Sequence, residues 1–121
     1  MKTINIGTNE FTEILIDDKP GDGNIYHKYY ISRVNRLRFD LISDFGSIKF
    51  QKGPVKEAGI NGCHQEDLLA IVIHRLRGFQ SSEFACRENA LALTKIEEAL
   101  HWLNHRTTER TKRGVEGTNT I

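Results

Sequence analysis

Over the first 51 residues, apolar and polar positions alternate in short runs with the two-residue period of a strand. Ile4 and Ile6 alternate with polar neighbours, Thr12 to Ile16 forms a second run, and Tyr26 to Ile31 a third that is rich in aromatic residues. Leu37, Phe39 and Leu41 alternate with Arg38 and Asp40, after which Asp44-Phe45-Gly46-Ser47 turns the chain into Ile48-Lys49-Phe50-Gln51. Lys19-Pro20-Gly21-Asp22-Gly23-Asn24 has the residues of a turn or mobile loop. Together these runs predict a small antiparallel sheet with one apolar face.

Gly53-Pro54 interrupts the alternation, and from about Asn61 the apolar period lengthens to that of a helix. Asn61 is placed to cap a first helix carrying Leu68, Leu69, Ile71, Val72, Ile73, Leu76 and Phe79, which breaks over 78–82. A second helix is predicted from near Ser82, with Leu93, Ile96, Leu100 and Leu103 at alternating spacings of three and four. The pair forms an αα-hairpin. At 100° per residue the apolar positions of each helix span roughly 200°, wider than the ~100° stripe that one packing layer needs. Each helix therefore faces two partners: the other arm, and then the sheet or another subunit. The fold class is α+β, with a small antiparallel sheet followed by a two-helix hairpin in a homo-oligomer. One domain covers 1–121, with the sheet over 1–51, the hairpin over 61–113 and a tail over 114–121.

A net charge of only +1 argues against a duplex DNA-binding surface, so any nucleotide ligand should be small. Cys63 and Cys86 do not form a disulfide framework, which fits a reducing cytoplasm. No signal-peptide core is visible, and no apolar run is long enough to cross a bilayer.

Candidate chemistry concentrates near the end of the second helix. Arg106, Arg110 and Arg113 share one face if the helix continues through them, with Thr107, Thr108 and Thr111 between. Such a face suits a phosphate, and Gly114 and Gly117 would let backbone N–H groups approach it. The same cations also suit a solvated helix end, where they complement the helix dipole. Asn89 interrupts the leucine seam of the second helix. Its amide either fixes the register of a helix interface or bonds the polar edge of a ligand whose flat ring stacks on Phe79. Asn89 and Arg106 are 17 residues apart, about 26 Å along a continuous helix, too far for one compact dinucleotide within one chain. If both serve one ligand, the site is composite and lies between two subunits.

The remaining constellations carry less. His101, His105 and Cys63-His64 lack the further ligands of a zinc set, so no metal is assigned. Cys86 reads as packing, and Glu66, Asp67, Glu97 and Glu98 as solvated helix surface and capping charge. No nucleotide-binding glycine motif precedes a helix, and no catalytic set or cofactor is expected.

The strings Phe50-Gln51-Lys52-Gly53-Pro54, Glu66 to Gln80, Phe84 to Leu93 and Arg113-Gly114-Val115-Glu116-Gly117-Thr118 resemble those of the phage Thoeris anti-defence proteins of type one. That family shares its helical hairpin with the type-two anti-CBASS proteins. The resemblance covers residues 50–118 closely and the amino-terminal sheet more loosely, best over Gly21 to Tyr30. It implies a sponge that binds a glycocyclic ADP-ribose isomer in the host cytoplasm without cleaving it, so the Thoeris effector stays inactive. It also implies a homodimer or trimer of dimers, some members of which hold cyclic di- or trinucleotides in separate sites. By resemblance, Phe79 is the ring-stacking residue, Asn89 the pocket amide and Arg106 a phosphate contact. Arg110 and Arg113 match the family ending and serve either this site or a second nucleotide site, Thr107 lies between Arg106 and Arg110, and His27, Gln51 and Asn61 are further candidates placed by motif and chemistry. The loop from Lys19 to Asn24 is a candidate lid. Two other functions remain in view: a hydrolase of such a nucleotide, and a hairpin that docks a host protein.

Overall fold

The computed structural model of the chain describes residues 2–4, 6, 9–17, 19–34 and 45–121. They form two compact units, one of Met1–Lys52 with Ile60–Cys63, the other of Gly53–Gly59 with His64–Ile121.

The first unit is an antiparallel meander of β1 (Lys2–Thr3), β2 (Thr12–Ile16), β3 (Lys28–Arg33) and β4 (Ser47–Lys49), ordered in the sheet as in the chain. Thr12 to Ile16 forms the strand that its alternation predicts, whereas the aromatic run starts two residues later than expected and reaches Arg33. Ile4 and Ile6 lie beyond β1, which pairs Lys2 with Ile16 and Thr3 with Leu15. The strand expected over Leu37 to Leu41 falls in 35–44, outside the described residues. Leu15 and Ile16 are both buried although adjacent strand residues point to opposite faces, so this end of β2 is covered on both sides. That differs from a sheet with a single apolar face.

After β4 the chain returns beside itself. Gln51 N–H donates to the Cys63 carbonyl and Cys63 N–H to that of Lys49, each at 2.8 Å. The Asn61 side chain extends this pairing: its Oδ1 accepts from Lys52 N–H at 2.8 Å, and its Nδ2 donates to the Lys52 carbonyl at 2.7 Å. The expected helix-capping role of Asn61 is therefore replaced by a sheet-like one. Gly62 sits where the two segments cross, and a Cβ there would come within 2.7 Å of the Gln51 nitrogen. Gly62→Ala is expected to cost about 1–3 kcal/mol through this backbone clash. A lowered denaturation midpoint checks it, and an unchanged midpoint would contradict it.

The second unit holds a single-turn α1 (Val55–Ala58), absent from the sequence reading, and the hairpin of α2 (Gln65–Gln80) and α3 (Arg87–Lys112). The Asp67 carboxylate accepts His64 N–H at 2.9 Å, in line with its reading as capping charge, and starts α2 four residues after Asn61. Helix α3 begins at Arg87, later than the Ser82 expected from sequence, because Ser82 is engaged in the turn. Its N–H and hydroxyl both donate to the Phe79 carbonyl, at 3.1 and 2.7 Å. Ile73 is buried in the hairpin, and Leu93, Ile96, Leu100 and Leu103 are half-buried along α3. Ile71 and Trp102 nevertheless remain 64% and 65% exposed, so the breadth of the apolar faces exceeds what one chain covers.

The end of α3 is closed by backbone bonds. Gly114 N–H donates to Thr111 O and Val115 N–H to Arg110 O, with Gly114 at φ 72°, the geometry of a Schellman cap. The stretch read as a tail over 114–121 thus folds back on the helix.

Candidate functional site

Phe79 occupies the last turn of α2 and Asn89 the first turn of α3, so the turn of the hairpin brings both to one end. Each is half-buried. The Arg75 guanidinium lies 5.1 Å from the centre of the Phe79 ring. Arg75 was not singled out by the sequence reading, although its spacing of four from Phe79 is the helical spacing that places two side chains together. A cation beside an aromatic ring that stands partly free is a suitable edge for a flat, anionic ligand.

Cys86, read as packing, is the cap of α3: its Sγ accepts Asn89 N–H at 3.4 Å. Gln80 holds this cap from the other side of the turn. Its Nε2 donates to the Cys86 carbonyl and its Oε1 accepts from Cys86 N–H, both at 3.1 Å. Neither contact is legible in the sequence, because no periodicity relates a side-chain amide to a backbone six residues on.

The three arginines separate by what they touch. Arg106 is exposed and forms no hydrogen bond or ion pair among the described residues. The Arg110 side chain is only 12% exposed, and its Nε meets Glu116 Oε2 at 3.1 Å. Its remaining donors reach Thr120 O at 2.7 Å, Val115 O at 3.0 Å and Thr118 O at 3.2 Å. This guanidinium organises the carboxy-terminal turn and has little donor capacity left for a phosphate. Arg113 donates to Ile121 O at 2.9 Å but stays exposed. Thr107 is half-buried, and its carbonyl accepts the Thr111 hydroxyl at 2.9 Å. The backbone N–H of Gly114 is bonded within the cap, which takes it out of the anion cradle that its sequence context suggested, and the Gly117 carbonyl accepts from Lys56 N–H at 3.1 Å.

His27, Gln51 and Asn61 belong to the sheet unit. Gln51 Oε1 accepts Asn61 N–H at 3.0 Å, which joins these two residues in a structural contact. The half-buried His27 ring packs over the Lys19 to Asn24 loop: a Cβ at Gly21 would meet His27 Cε1 at 2.8 Å. Within that loop Gly21 N–H donates to Ile25 O at 2.8 Å, closing a tight turn of one 3-10 helix, Asp22–Asn24.

Across the hairpin, Arg77 pairs with Glu97 at 2.8 Å, where the sequence had suggested a solvated acid without a basic partner. The pair borders a cleft of about 540 Å³ lined by Ile73, His74, Leu100, His101 and Asn104. Both side chains are largely exposed, so the ion pair adds little stability. His101 and His105 flank the Trp102 ring edge-on at 5.6 and 5.8 Å. Among the described residues no three His, Cys, Asp or Glu side chains converge as a metal set, and no helix is long and apolar enough to cross a membrane.

Residues 46–108, more than half of the chain, match the family described as Acb2/Tad1, hairpin domain. A protein of Bacillus phage SBSphiJ7 named Thoeris anti-defense 1 is 60% identical over 80 residues, which cover 66% of this chain and 56% of the relative. The match therefore spans little more than half of that relative's length.

Proposed function

Because the chain belongs to the Acb2/Tad1 hairpin family, we propose that it is a phage anti-defence protein that captures a cyclic ADP-ribose immune signal and holds it intact. The relative's name supports Thoeris as the defence system to be countered. Capture in the host cytoplasm would keep the Thoeris effector inactive. The ligand offers three recognisable parts: a flat purine, polar ring edges and a pyrophosphate. Phe79 stacks on the purine, Asn89 bonds a polar edge, and Arg106 meets the pyrophosphate. No group in this set needs to supply a nucleophile or move a proton, and sequestration depends on slow release.

The observation that carries the reading is the continuity of α3. Asn89 and Arg106 stand on one unbroken helix from Arg87 to Lys112, about 26 Å apart by its rise per residue. One ADP-ribose cannot bridge them within a chain, but an antiparallel pair of chains about a twofold axis can bring the arginine of one beside Phe79 and Asn89 of the other. The exposed apolar residues Leu91 and Trp102 on α3 and Ile71 on α2 support such an assembly, a homodimer or trimer of dimers. Cyclic di- or trinucleotides are further ligands of the same chemical class, at separate sites.

Calorimetric titration with the glycocyclic ADP-ribose isomer, followed by heating and chromatography, tests this reading. The expected result is tight binding and release of unaltered ligand. An altered ligand would favour a hydrolase, and no binding would favour a protein-docking hairpin. Phe79→Ala and Asn89→Ala are each expected to weaken binding by about 1–3 kcal/mol while the chain stays folded, through a lost stacking surface or amide contact. Parental affinity in both variants would remove the pocket from this end of the hairpin.

A further inference from the structure

Five hydrogen bonds tie Phe79 to Asn89 through the turn between α2 and α3. The Phe79 carbonyl accepts from the Ser82 hydroxyl at 2.7 Å, and Phe84 N–H donates to that hydroxyl at 3.1 Å. Gln80, the residue after Phe79, pairs through its side-chain amide with both the N–H and the carbonyl of Cys86. The Cys86 thiol in turn accepts the N–H of Asn89. A primary amide matched to a backbone amide in this two-point manner fixes distance and orientation together, as a pair of adjacent strands would. The turn residues 81–86 are exposed, so packing does little to hold their shape and these bonds do most of it.

We infer that Gln80 is a positioning residue, which touches no ligand but sets the separation of Phe79 and Asn89 by clamping Cys86 across the turn. The role rests on the sponge reading of that pocket. Binding between a stacking ring and an amide donor needs both at a set spacing, and a turn that samples other shapes lowers the population of the competent one. Ser82 fixes the α2 side of the turn and Cys86 the α3 side; Gln80 alone joins the two sides through both bonds of an amide.

The test compares the full-length parent with Gln80→Leu and Gln80→Glu. Leucine keeps the side-chain bulk and removes both hydrogen bonds. In ligand-free Gln80→Leu the Cys86 amide should exchange with solvent about tenfold faster than in the parent, while amides midway along α3 keep their rates. Affinity for the glycocyclic ADP-ribose isomer should fall about tenfold, mainly through faster dissociation. In Gln80→Glu a carboxylate still accepts from Cys86 N–H but faces the Cys86 carbonyl without a proton to donate. Its affinity relative to the parent should recover as pH falls toward the ordinary glutamate value of about 4.3, where the protonated acid replaces the amide. A residue that merely stabilised the fold would show no such relative recovery. Parental affinity in Gln80→Leu despite faster turn exchange would overturn the inference and leave the sponge reading intact. Weakened affinity with unchanged turn exchange would also overturn it, by making Gln80 a direct contact. A parent that binds no ligand overturns both, and its own titration reveals this before any variant is made.

Discussion

Arg110→Met is expected to release the carboxy-terminal turn from α3 and to lower stability by about 2–4 kcal/mol. The Arg110 guanidinium is largely enclosed and meets one carboxylate and three backbone carbonyls, all from residues 115–120. Methionine keeps the apolar stem but leaves Glu116 without its cation and the Thr118 and Thr120 carbonyls without the Arg110 donor, while the Val115 carbonyl keeps the N–H and hydroxyl of Thr118. The Schellman bonds at Gly114 and Val115 are made by backbone groups, so α3 itself should end where it does now. A denaturant titration checks the stability loss, and limited proteolysis should cut beyond Gly114 in the variant only. A parental midpoint with an uncut tail would mean that Arg110 is dispensable. Glu116→Gln should have a smaller effect, because Glu116 is 38% exposed and water replaces part of what it loses.

The second large effect is on binding. Arg106→Glu is expected to weaken capture of the ADP-ribose isomer by about 2–4 kcal/mol, since a charge-assisted contact to the pyrophosphate is lost and a like charge takes its place. Arg106 has no partner among the described residues whose loss would disturb the fold. Thermal stability should therefore match the parent while titration shows the loss. Parental affinity in this variant would move the phosphate contact away from Arg106, with Arg113, the other exposed arginine of this region, as the remaining candidate.

How far the sequence could be read differs by element. The strand at Thr12 to Ile16 and the two long helices were legible because their apolar periods extend over whole elements, and Ile73 is buried on the apolar face of α2, whereas the joint burial of Leu15 and Ile16 is not what alternation predicts. Boundaries were less so where a side chain bonds backbone. Asn61 has the chemistry of a cap, yet its amide pairs with Lys52 and the cap passes to His64 and Asp67. The arginine spacing predicted a shared helical face, but spacing does not set rotamers. Arg110 turns back onto the carboxy-terminal stretch, while Arg106 is exposed and forms no hydrogen bond or ion pair among the described residues. Phe79 and Asn89 could be named from sequence and resemblance, but the Gln80 amide and the Cys86 thiol that connect their helices could not.

The central claim is that one intact ADP-ribose ligand is held by Phe79 and Asn89 of one chain and Arg106 of another. The measurement that tests it most directly is titration of a two-tag assembly purified from co-expressed Phe79→Ala and Arg106→Glu chains, beside the parent and each variant alone. A twofold composite site predicts recovery of parental affinity at half of the parental sites, because one site joins both intact halves and the other joins both altered ones. Weak binding throughout the mixed assembly, with the parent binding tightly, would contradict the shared site and return the ligand to a single chain.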